Sequence, residues 1–279
     1  MSTVWLNDRF LPAEQARVSV LDRGFLFGDG VYEVIPVYGG RPFRLQRHLR
    51  RLERSLAAVG IDNPATRDQW TARIDELVER NGGGDQGVYL QVTRGVAPRQ
   101  HVPEGELEPT VLLMSNPLPP RSGIARVSAV TLPDDRWGHC DIKSIALLAS
   151  VLLRIRARGE GAGEAILLRD GELTEGAASN VFTVLDGVVV TPPVSPRLLP
   201  GITREVLLEL LRKAGIEAEE RPVSEQELRN AREIWLTSST QEITAVTMLD
   251  GREIGDGRPG PTCRRADELY QEYKRLQVE

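Results

Sequence analysis

The sequence has few of the residues that usually hold metal ions or form disulfides. Two cysteines and three histidines occur among its 279 residues. Cys140 and Cys263 lie far apart in the chain, which excludes a cysteine metal pair and a disulfide framework and fits a reducing compartment. His48, His101 and His139 lack metal-ligand spacings such as HExxH, so we expect no dedicated metal site.

Long apolar runs are also missing. The longest, Ile145 to Leu153, is interrupted by Ser150 and is far shorter than the ~20 residues that span a bilayer. The N-terminus has neither the basic start nor the apolar segment of a secretory signal. A formal net charge of -5 argues against a nucleic-acid partner. We therefore expect a cytoplasmic protein that binds neither membranes nor nucleic acids.

Lysine is scarce as well, which leaves few candidates for amine chemistry. Of 35 basic residues, 32 are arginine and three are lysine. Lys213 belongs to the last turn of a predicted helix, where a cation suits the helix dipole, and Lys274 belongs to a charged C-terminal helix. Lys143 precedes the most apolar predicted helix, 144–158, where burial would favour the neutral amine. A lysine that extends from a helix start into solvent is the competing interpretation.

Two mixed domains are expected from the order of predicted elements. The N-terminal part combines short strands with two helices, and the proline-rich segment 116–123 is a linker candidate. Domain boundaries of 1–117 (α+β) and 118–279 (mixed α/β) follow, with the active site in the crevice between them. Predicted helices cover 44–59, 66–81, 144–158, 203–214 and 263–276; predicted strands cover 88–93, 110–114, 124–131, 164–169, 179–184, 187–191, 216–221, 233–237 and 243–249.

Lysine chemistry of the pyridoxal-phosphate type needs further groups besides the amine. A carboxylate must face the pyridine nitrogen, and donors must hold the phosphate. Glu175 lies between two predicted strands, although a plain turn carboxylate is an equally good interpretation. Ile202 and Thr203 open a predicted helix after a glycine, which suits an anion, although a simple threonine cap needs no ligand.

Two other segments offer donors for a phosphate. Ser238 and Ser239 follow a predicted strand, where hydroxyl groups also serve as ordinary turn formers. Arg51 could supply a cation, but its segment is dense in arginine and most of those side chains must be solvated.

Six segments, in order along the chain, resemble the fold-type IV pyridoxal-phosphate enzymes. This family includes the D-amino acid aminotransferases, the branched-chain aminotransferases and the aminodeoxychorismate lyases. The segments are RGFLFGDGVYEV (23–34), HLRRL (48–52), RWGHCDIKS (136–144), LTEGAASNVF (173–182), LLPGITRE (198–205) and TSSTQEIT (237–244). They are distributed in order between residues 23 and 244, so the resemblance extends over nearly the whole chain and is specific.

The resemblance implies a role for each candidate residue. Lys143 would form the Schiff base with pyridoxal 5'-phosphate, and Glu175 would pair with the pyridine nitrogen. Arg136 would lie near the phenolic oxygen of the cofactor. The phosphate contacts would come from Arg51, Ile202, Thr203, Ser238 and Ser239.

Within the family, the segment VTRGVAPRQHVP (92–103) is most similar to the D-amino acid aminotransferases. The resemblance implies that Arg99 and His101 come from the neighbouring subunit of a homodimer. There they would bind the substrate carboxylate together with Tyr32, as cationic and hydroxyl donors can. Ala177 and Ala178 stand where D-specific enzymes commonly have serines, so the substrate range stays open.

The expected activity is therefore transamination between a D-amino acid and a 2-oxo acid, such as D-alanine and 2-oxoglutarate. Two alternatives share the fold: an L-branched-chain aminotransferase and an aminodeoxychorismate lyase. A more distant alternative is a non-catalytic anion-binding protein that uses only the helix start near Thr203.

Overall fold

The computed structural model describes residues 2–278, which divide into two compact units. One unit extends through Pro120 and also includes Ile142–Leu147, and the other consists of Arg121–Asp141 and Leu148–Gln277. The predicted domain boundary between residues 117 and 118 stays a prediction. A single boundary places Ile142–Leu147 in the C-terminal part, whereas these residues belong to the first unit. No helix within residues 2–278 is long and apolar enough to cross a membrane.

The N-terminal unit is a six-stranded antiparallel sheet with helices. Its strands have the order β2-β1-β6-β5-β3-β4. In chain order the elements are β1 (Thr3–Leu6), β2 (Arg9–Pro12), α1 (Arg23–Phe27), β3 (Gly30–Tyr38), β4 (Arg41–Pro42), α2 (Leu45–Val59), α3 (Arg67–Arg80), β5 (Gln86–Thr93) and β6 (Thr110–Pro117).

The leucine spacing of the sequence produces α2 and its buried face. Leu49, Leu52 and Leu56 are fully buried in the core that α2 shares with β3, β5 and β6. Gly60 ends the helix at φ 65°, in the left-handed region that favours glycine. The predicted helix over 44–59 is thus confirmed, except that Arg44 precedes it.

The C-terminal unit is a nine-stranded mixed sheet with four helices. Eight strands have the order β12-β11-β10-β13-β14-β7-β8-β9, and β15 pairs with β14. The elements are β7 (Ala125–Pro133), α4 (Leu148–Gly159), β8 (Glu164–Arg169), β9 (Glu172–Gly176), β10 (Asn180–Leu185), β11 (Val188–Thr191), α5 (Ile202–Lys213), β12 (Ala218–Glu220), α6 (Glu225–Asn230), β13 (Glu233–Ser238), β14 (Glu242–Leu249), β15 (Arg252–Glu253) and α7 (Pro261–Val278).

The predicted helix over 144–158 is wrong at its start. Residues 144–147 are not helical, because their backbone bonds to β3 instead: Ser144 forms a bridge with Val31, and Ile145 N–H donates to Gly30 O. The helix begins only at Leu148. Lys143 therefore lies in an irregular segment beside β3 and does not stand at a helix entrance.

The helix α4 is also less buried than its composition indicates. Leu148, Val151, Leu152 and Ile155 expose 70%, 47%, 55% and 61% of their surface, respectively. These four residues follow the spacing of one helix face, and we call them the apolar face of α4.

The N-terminus of α3 allows a direct test of local stability. The Thr66 side chain accepts a hydrogen bond from Gln69 N–H, and the Gln69 side chain accepts one from Thr66 N–H, so the predicted capping pattern is confirmed. We expect Thr66→Ala to lower the free energy of unfolding by about 1 kcal/mol in urea titrations. Thr66→Ser should restore most of it, and an unchanged Thr66→Ala protein would contradict the capping role.

Candidate active site

The backbone of Lys143 is fixed by β3 and α2. Tyr32 N–H donates to Lys143 O at 2.9 Å. Lys143 N–H in turn donates to the buried Ser55 hydroxyl oxygen at 3.2 Å. Hydrogen bonds on both sides of the peptide hold this residue in place, although it lies outside any helix or strand.

The side chain of Lys143 extends over an aromatic pair. Its Nζ lies 4.1 Å from the centroid of the Tyr32 ring, within the range of a cation–π contact. Tyr32 stacks on Tyr89 with 5.6 Å between ring centroids, and Tyr89 donates its hydroxyl hydrogen to Gln91. Burial raises the pKa of Tyr89 to about 12, so this phenol stays neutral. The structure thus brings the predicted residues Tyr32 and Lys143 together and adds Tyr89, which lies one strand away.

A buried carboxylate holds the predicted cation Arg51. Arg51 donates from Nε and Nη2 to the two carboxylate oxygens of Glu33, at 2.8 and 2.9 Å. His48 Nδ1 lies 2.8 Å from Glu33 Oε2. All three side chains are almost completely buried. This arrangement fixes the guanidinium in one orientation, while its predicted phosphate contact stays a prediction.

The charges of this cluster follow from its contacts. Burial alone would raise the pKa of Glu33, but Arg51 and His48 outweigh it and hold the pKa well below its usual range. Burial lowers the pKa of His48, against the opposing effect of Glu33. The cluster is therefore an ionised carboxylate with a cationic arginine and a neutral histidine.

Sequence reasoning missed Glu33 and His48, although a signal was present. Side chains alternate along a strand, so Glu33 shares the core-facing side of β3 with Val31 and Ile35. A carboxylate at a core position needs a cationic partner. His48 and Arg51, three residues apart on α2, share the helix face that could supply one.

The predicted substrate residues Arg99 and His101 lie in the irregular segment after β5. Both are exposed. They flank the Phe27 ring of α1: the Arg99 guanidinium carbon lies 5.4 Å from its centroid, and the His101 ring centroid lies 5.8 Å away. A role in binding a substrate stays a prediction for both residues.

In the C-terminal unit, Glu175 is a buried carboxylate within β9 and does not lie between strands, as predicted, or in the turn of the competing interpretation. Its Oε1 accepts from Arg136 Nη1 at 2.6 Å, and its Oε2 accepts from Asn180 Nδ2 at 3.1 Å and from Leu199 N–H at 3.0 Å. A carboxylate has about four acceptor positions, so Oε1 retains capacity for one more donor. Burial raises the pKa of Glu175 to about 7, although Arg136 opposes this shift.

A second carboxylate sets the position of Arg136. Asp134 accepts from Arg136 Nε and Nη2, both at 2.9 Å, in a bidentate arrangement. The structure therefore joins the predicted residues Arg136 and Glu175 directly. The predicted contact of Arg136 with the phenolic oxygen requires the bound cofactor and stays a prediction.

Four of the predicted phosphate donors, Ile202, Thr203, Ser238 and Ser239, belong to two segments that meet at the start of α5. Gly201 precedes the helix and has no side chain that could cap its first N–H groups. Thr203 donates its hydroxyl hydrogen to Ser238 O at 3.1 Å, which links this helix start to the end of β13, where Ser238 is the last strand residue and Ser239 begins the turn. The neighbouring Thr237 hydroxyl is buried and has no hydrogen-bond partner within residues 2–278. This cluster of donors suits an anion.

Gly201 also connects the helix start to Glu175. A Cβ atom at this position would lie 2.0 Å from Asn180 Oδ1, so no larger residue fits. Asn180 is the residue whose amide donates to Glu175. Because residue 201 is a glycine, Asn180 can pack against the start of α5 while its amide donates to Glu175.

Comparison with known proteins identifies the family. The family model described as amino-transferase class IV matches residues 30–249. This chain belongs to that family. It is 43% identical to the D-alanine aminotransferase of Bacillus licheniformis over 270 residues, which cover 96% of this chain and 95% of the relative.

Solved structures confirm the fold of this class IV aminotransferase. The branched-chain amino acid aminotransferase of Escherichia coli superposes with a TM-score of 0.90 at 26% identity, over 97% of this chain and 94% of that one. A fold IV transaminase of Curtobacterium pusillum superposes with a TM-score of 0.83 at 27% identity, over 96% of this chain and 97% of that one. The expected fold-type IV architecture, built from two mixed units, is confirmed.

The cofactor of this class IV aminotransferase is pyridoxal phosphate, as the resemblance implies, and a similar branched-chain aminotransferase has been solved with pyridoxamine 5'-phosphate. The chemical groups of the cofactor fit the residues present. The amine of Lys143 suits an aldehyde, and Glu175 retains acceptor capacity for a pyridinium N–H. The start of α5 and the buried hydroxyl of Thr237 suit a phosphate.

The raised pKa of Glu175 leads to a pH-dependent prediction. Between its ordinary value of 4.5 and about 7, the folded cofactor-free protein keeps a proton on Glu175 that the unfolded chain releases. This contribution makes the free energy of unfolding fall as the pH rises through that window. We expect the free energy of unfolding of Glu175→Gln to fall less steeply with pH in this window, with a slope smaller by at most about 1.4 kcal/mol per pH unit. Urea titrations at several pH values measure this slope.

Glu172→Gln, an exposed substitution on the same strand, is the matched control and should keep the wild-type slope. A Glu175→Gln protein with the wild-type slope would contradict the assignment.

Proposed function

We propose that this class IV aminotransferase transfers the amino group of D-amino acids to 2-oxo acids, with D-alanine and 2-oxoglutarate as a representative pair. The contact of Lys143 Nζ with the Tyr32 ring, at 4.1 Å, is the observation that carries the proposal. This contact supports the proposal, because the amine proposed to react lies beside a residue proposed to bind the substrate carboxylate. The 43% identity to a D-alanine aminotransferase and the Arg99–His101 segment support the choice of enantiomer.

Lys143 is the amine that holds the aldehyde of the cofactor and moves the substrate proton. When bound, pyridoxal phosphate supplies an aldehyde that takes up the amino group and a ring that accepts the electron pair left at the substrate Cα. With the cofactor bound, Lys143 Nζ would take the proton from the substrate Cα. The backbone bonds from Tyr32 and Ser55 keep this amine in place through both tasks.

Glu175 keeps the pyridine nitrogen protonated. Its carboxylate stabilises a positive charge at the ring nitrogen, which makes the ring a better electron acceptor. Asp134 supports this role indirectly, because it fixes the Arg136 guanidinium that donates to Glu175 Oε1. We propose that Arg136 also donates to the phenolic oxygen of the cofactor.

The phosphate is held by groups with different chemistry. The proposed donors are the N–H groups and hydroxyls at the start of α5 and at the end of β13 with the turn that follows, together with the guanidinium of Arg51: Arg51, Ile202, Thr203, Ser238 and Ser239. The Thr203–Ser238 bond keeps two of these segments at one place. Because Glu33 fixes Arg51 in a bidentate pair, the cation contributes charge without the need to reorganise.

A homodimer completes the substrate site. Tyr32 of one copy, with Arg99 and His101 of the second copy, would bind the substrate carboxylate. The exposed apolar face of α4 supports this assembly, because four large apolar side chains on one helix face favour burial against another surface. The cytoplasmic location expected from the sequence stays a prediction.

The second candidate is an L-branched-chain aminotransferase. The similarity to the branched-chain amino acid aminotransferase of Escherichia coli, with a TM-score of 0.90, favours it. Both candidates use the same lysine chemistry and differ in the enantiomer that the site accepts.

A panel of amino donors separates the two functions. With 2-oxoglutarate or pyruvate as acceptor, we expect kcat/KM for D-alanine to exceed that for L-leucine and L-valine by at least about a hundredfold. Both enantiomers of every donor are measured by the oxo acid released. A preference for L-leucine or L-valine would replace the proposed function with the second candidate.

The lysine assignment has its own test. Lys143→Ala should lower the transamination rate by at least about a thousandfold, because no other amine can replace it at the substrate Cα. Lys213→Ala, at the end of α5, is the matched control and should keep the wild-type rate. Full activity in Lys143→Ala would contradict the mechanism.

A further inference from the structure

A single buried arginine holds the backbone between Arg99 and His101. Arg23, at the start of α1, is 5% exposed. It donates from Nη1 to Gln100 O at 2.6 Å and from Nη2 to His101 O at 2.9 Å. Its backbone N–H also donates to Gly95 O, within the same segment. Residues 99–101 belong to no helix or strand, so hydrogen bonds within a ladder do not fix their backbone. The hydrogen bonds from Arg23 hold the backbone of this segment instead.

The guanidinium of Arg23 is itself fixed by a shared carboxylate. Arg23 Nε donates to Asp29 Oδ2 at 2.7 Å, and Arg94 Nε donates to the same oxygen at 2.8 Å. Arg94 then donates to Val59 O and Gly60 O at the end of α2. The segment after β5 is thus joined to the helix that carries Arg51 and Ser55.

The Phe27 ring completes the support. Four residues after Arg23 on α1, it lies 4.8 Å from the Arg23 guanidinium carbon and contacts Arg99 and His101 from the other direction. Cations packed on an aromatic ring lose part of their conformational freedom. Arg23 fixes the backbone of the segment, and Phe27 limits the directions available to its two side chains.

We propose that Arg23 is a positioning residue for recognition of the substrate carboxylate. It acts through the carbonyl groups of Gln100 and His101, which set the direction of the Arg99 and His101 side chains. The inference rests on the proposed function of those two residues. A lysine cannot replace Arg23, because one ammonium group lacks the planar fork that reaches two carbonyls and a carboxylate together.

A double-mutant cycle on the holoenzyme tests this role. We expect Arg23→Met and Arg23→Lys to raise KM for D-alanine by about tenfold or more, with a smaller change in kcat. In an Arg99→Met background the same substitutions should raise KM by a clearly smaller factor, because one of the two side chains that Arg23 positions is gone. General structural damage would instead lower activity equally in both backgrounds.

Arg94→Met is the matched control. Arg94 also binds Asp29 and two backbone carbonyls, but not those of Gln100 and His101. Its effect on KM should be the same with and without Arg99. If Arg23→Met does not fold, Arg23→Lys, which keeps the charge, carries the test.

The outcomes separate the two levels of inference. If wild type transaminates D-alanine and Arg99→Met raises KM, but the Arg23 variants have equal effects in both backgrounds, the positioning role is wrong and the proposed function stands. If Arg99→Met leaves KM for D-alanine unchanged, the substrate role of Arg99 and the positioning role of Arg23 both fall. Non-additivity confined to the Arg23 variants supports the inference.

Discussion

Pairing of buried carboxylates with arginine is the interaction on which both units depend. A carboxylate buried without a partner is destabilising by several kcal/mol, so Glu33 and Glu175 each require a cation in a fixed position, and the partly buried Asp29 binds two arginines. Arginine meets this requirement with a planar fork that can bind two oxygens at once. Arg51, Arg136 and Arg23 are therefore held in single orientations by the charges that they neutralise. The excess of arginine over lysine in this chain has a structural use at these sites.

The buried carboxylates of Glu33, which holds Arg51, and of Glu175 differ in charge state. Two partners, Arg51 and His48, hold the pKa of Glu33 far below its ordinary value, so it is a permanent anion. Burial has the larger effect at Glu175, whose pKa rises to about 7. Because Glu33 is always charged, it can hold the cationic side chain of Arg51, which is proposed to bind the phosphate. The pKa of Glu175 lies close to neutral pH, so a positive charge on the pyridine nitrogen would favour the ionised carboxylate. The charge of Glu175 therefore depends on whether the cofactor is bound.

Local patterns in the sequence predicted more of the fold than of the site. The leucine spacing of α2 and the Thr66 capping pattern depend on neighbouring residues, and both were right. The predicted start of the helix after Lys143 was wrong, because the run SIALLASVLL has no local feature that separates an irregular segment beside β3 from a helix. The contacts of Glu33 with Arg51, and of Arg23 with Gln100 and His101, join residues 18 and 77–78 positions apart, so tertiary packing alone creates them. Lys143 and Glu175 were predicted as site residues because the required chemistry and the family segments both pointed to them.

The central claim is that Lys143, out of three lysines, is the amine that binds the cofactor. Borohydride reduction of the yellow holoenzyme, followed by proteolysis and mass spectrometry of the peptides, tests it most directly. The account predicts a phosphopyridoxyl group on the peptide that contains Lys143 and on neither of the peptides with Lys213 or Lys274. A label on one of those two peptides, or a holoenzyme that borohydride does not label, would contradict it.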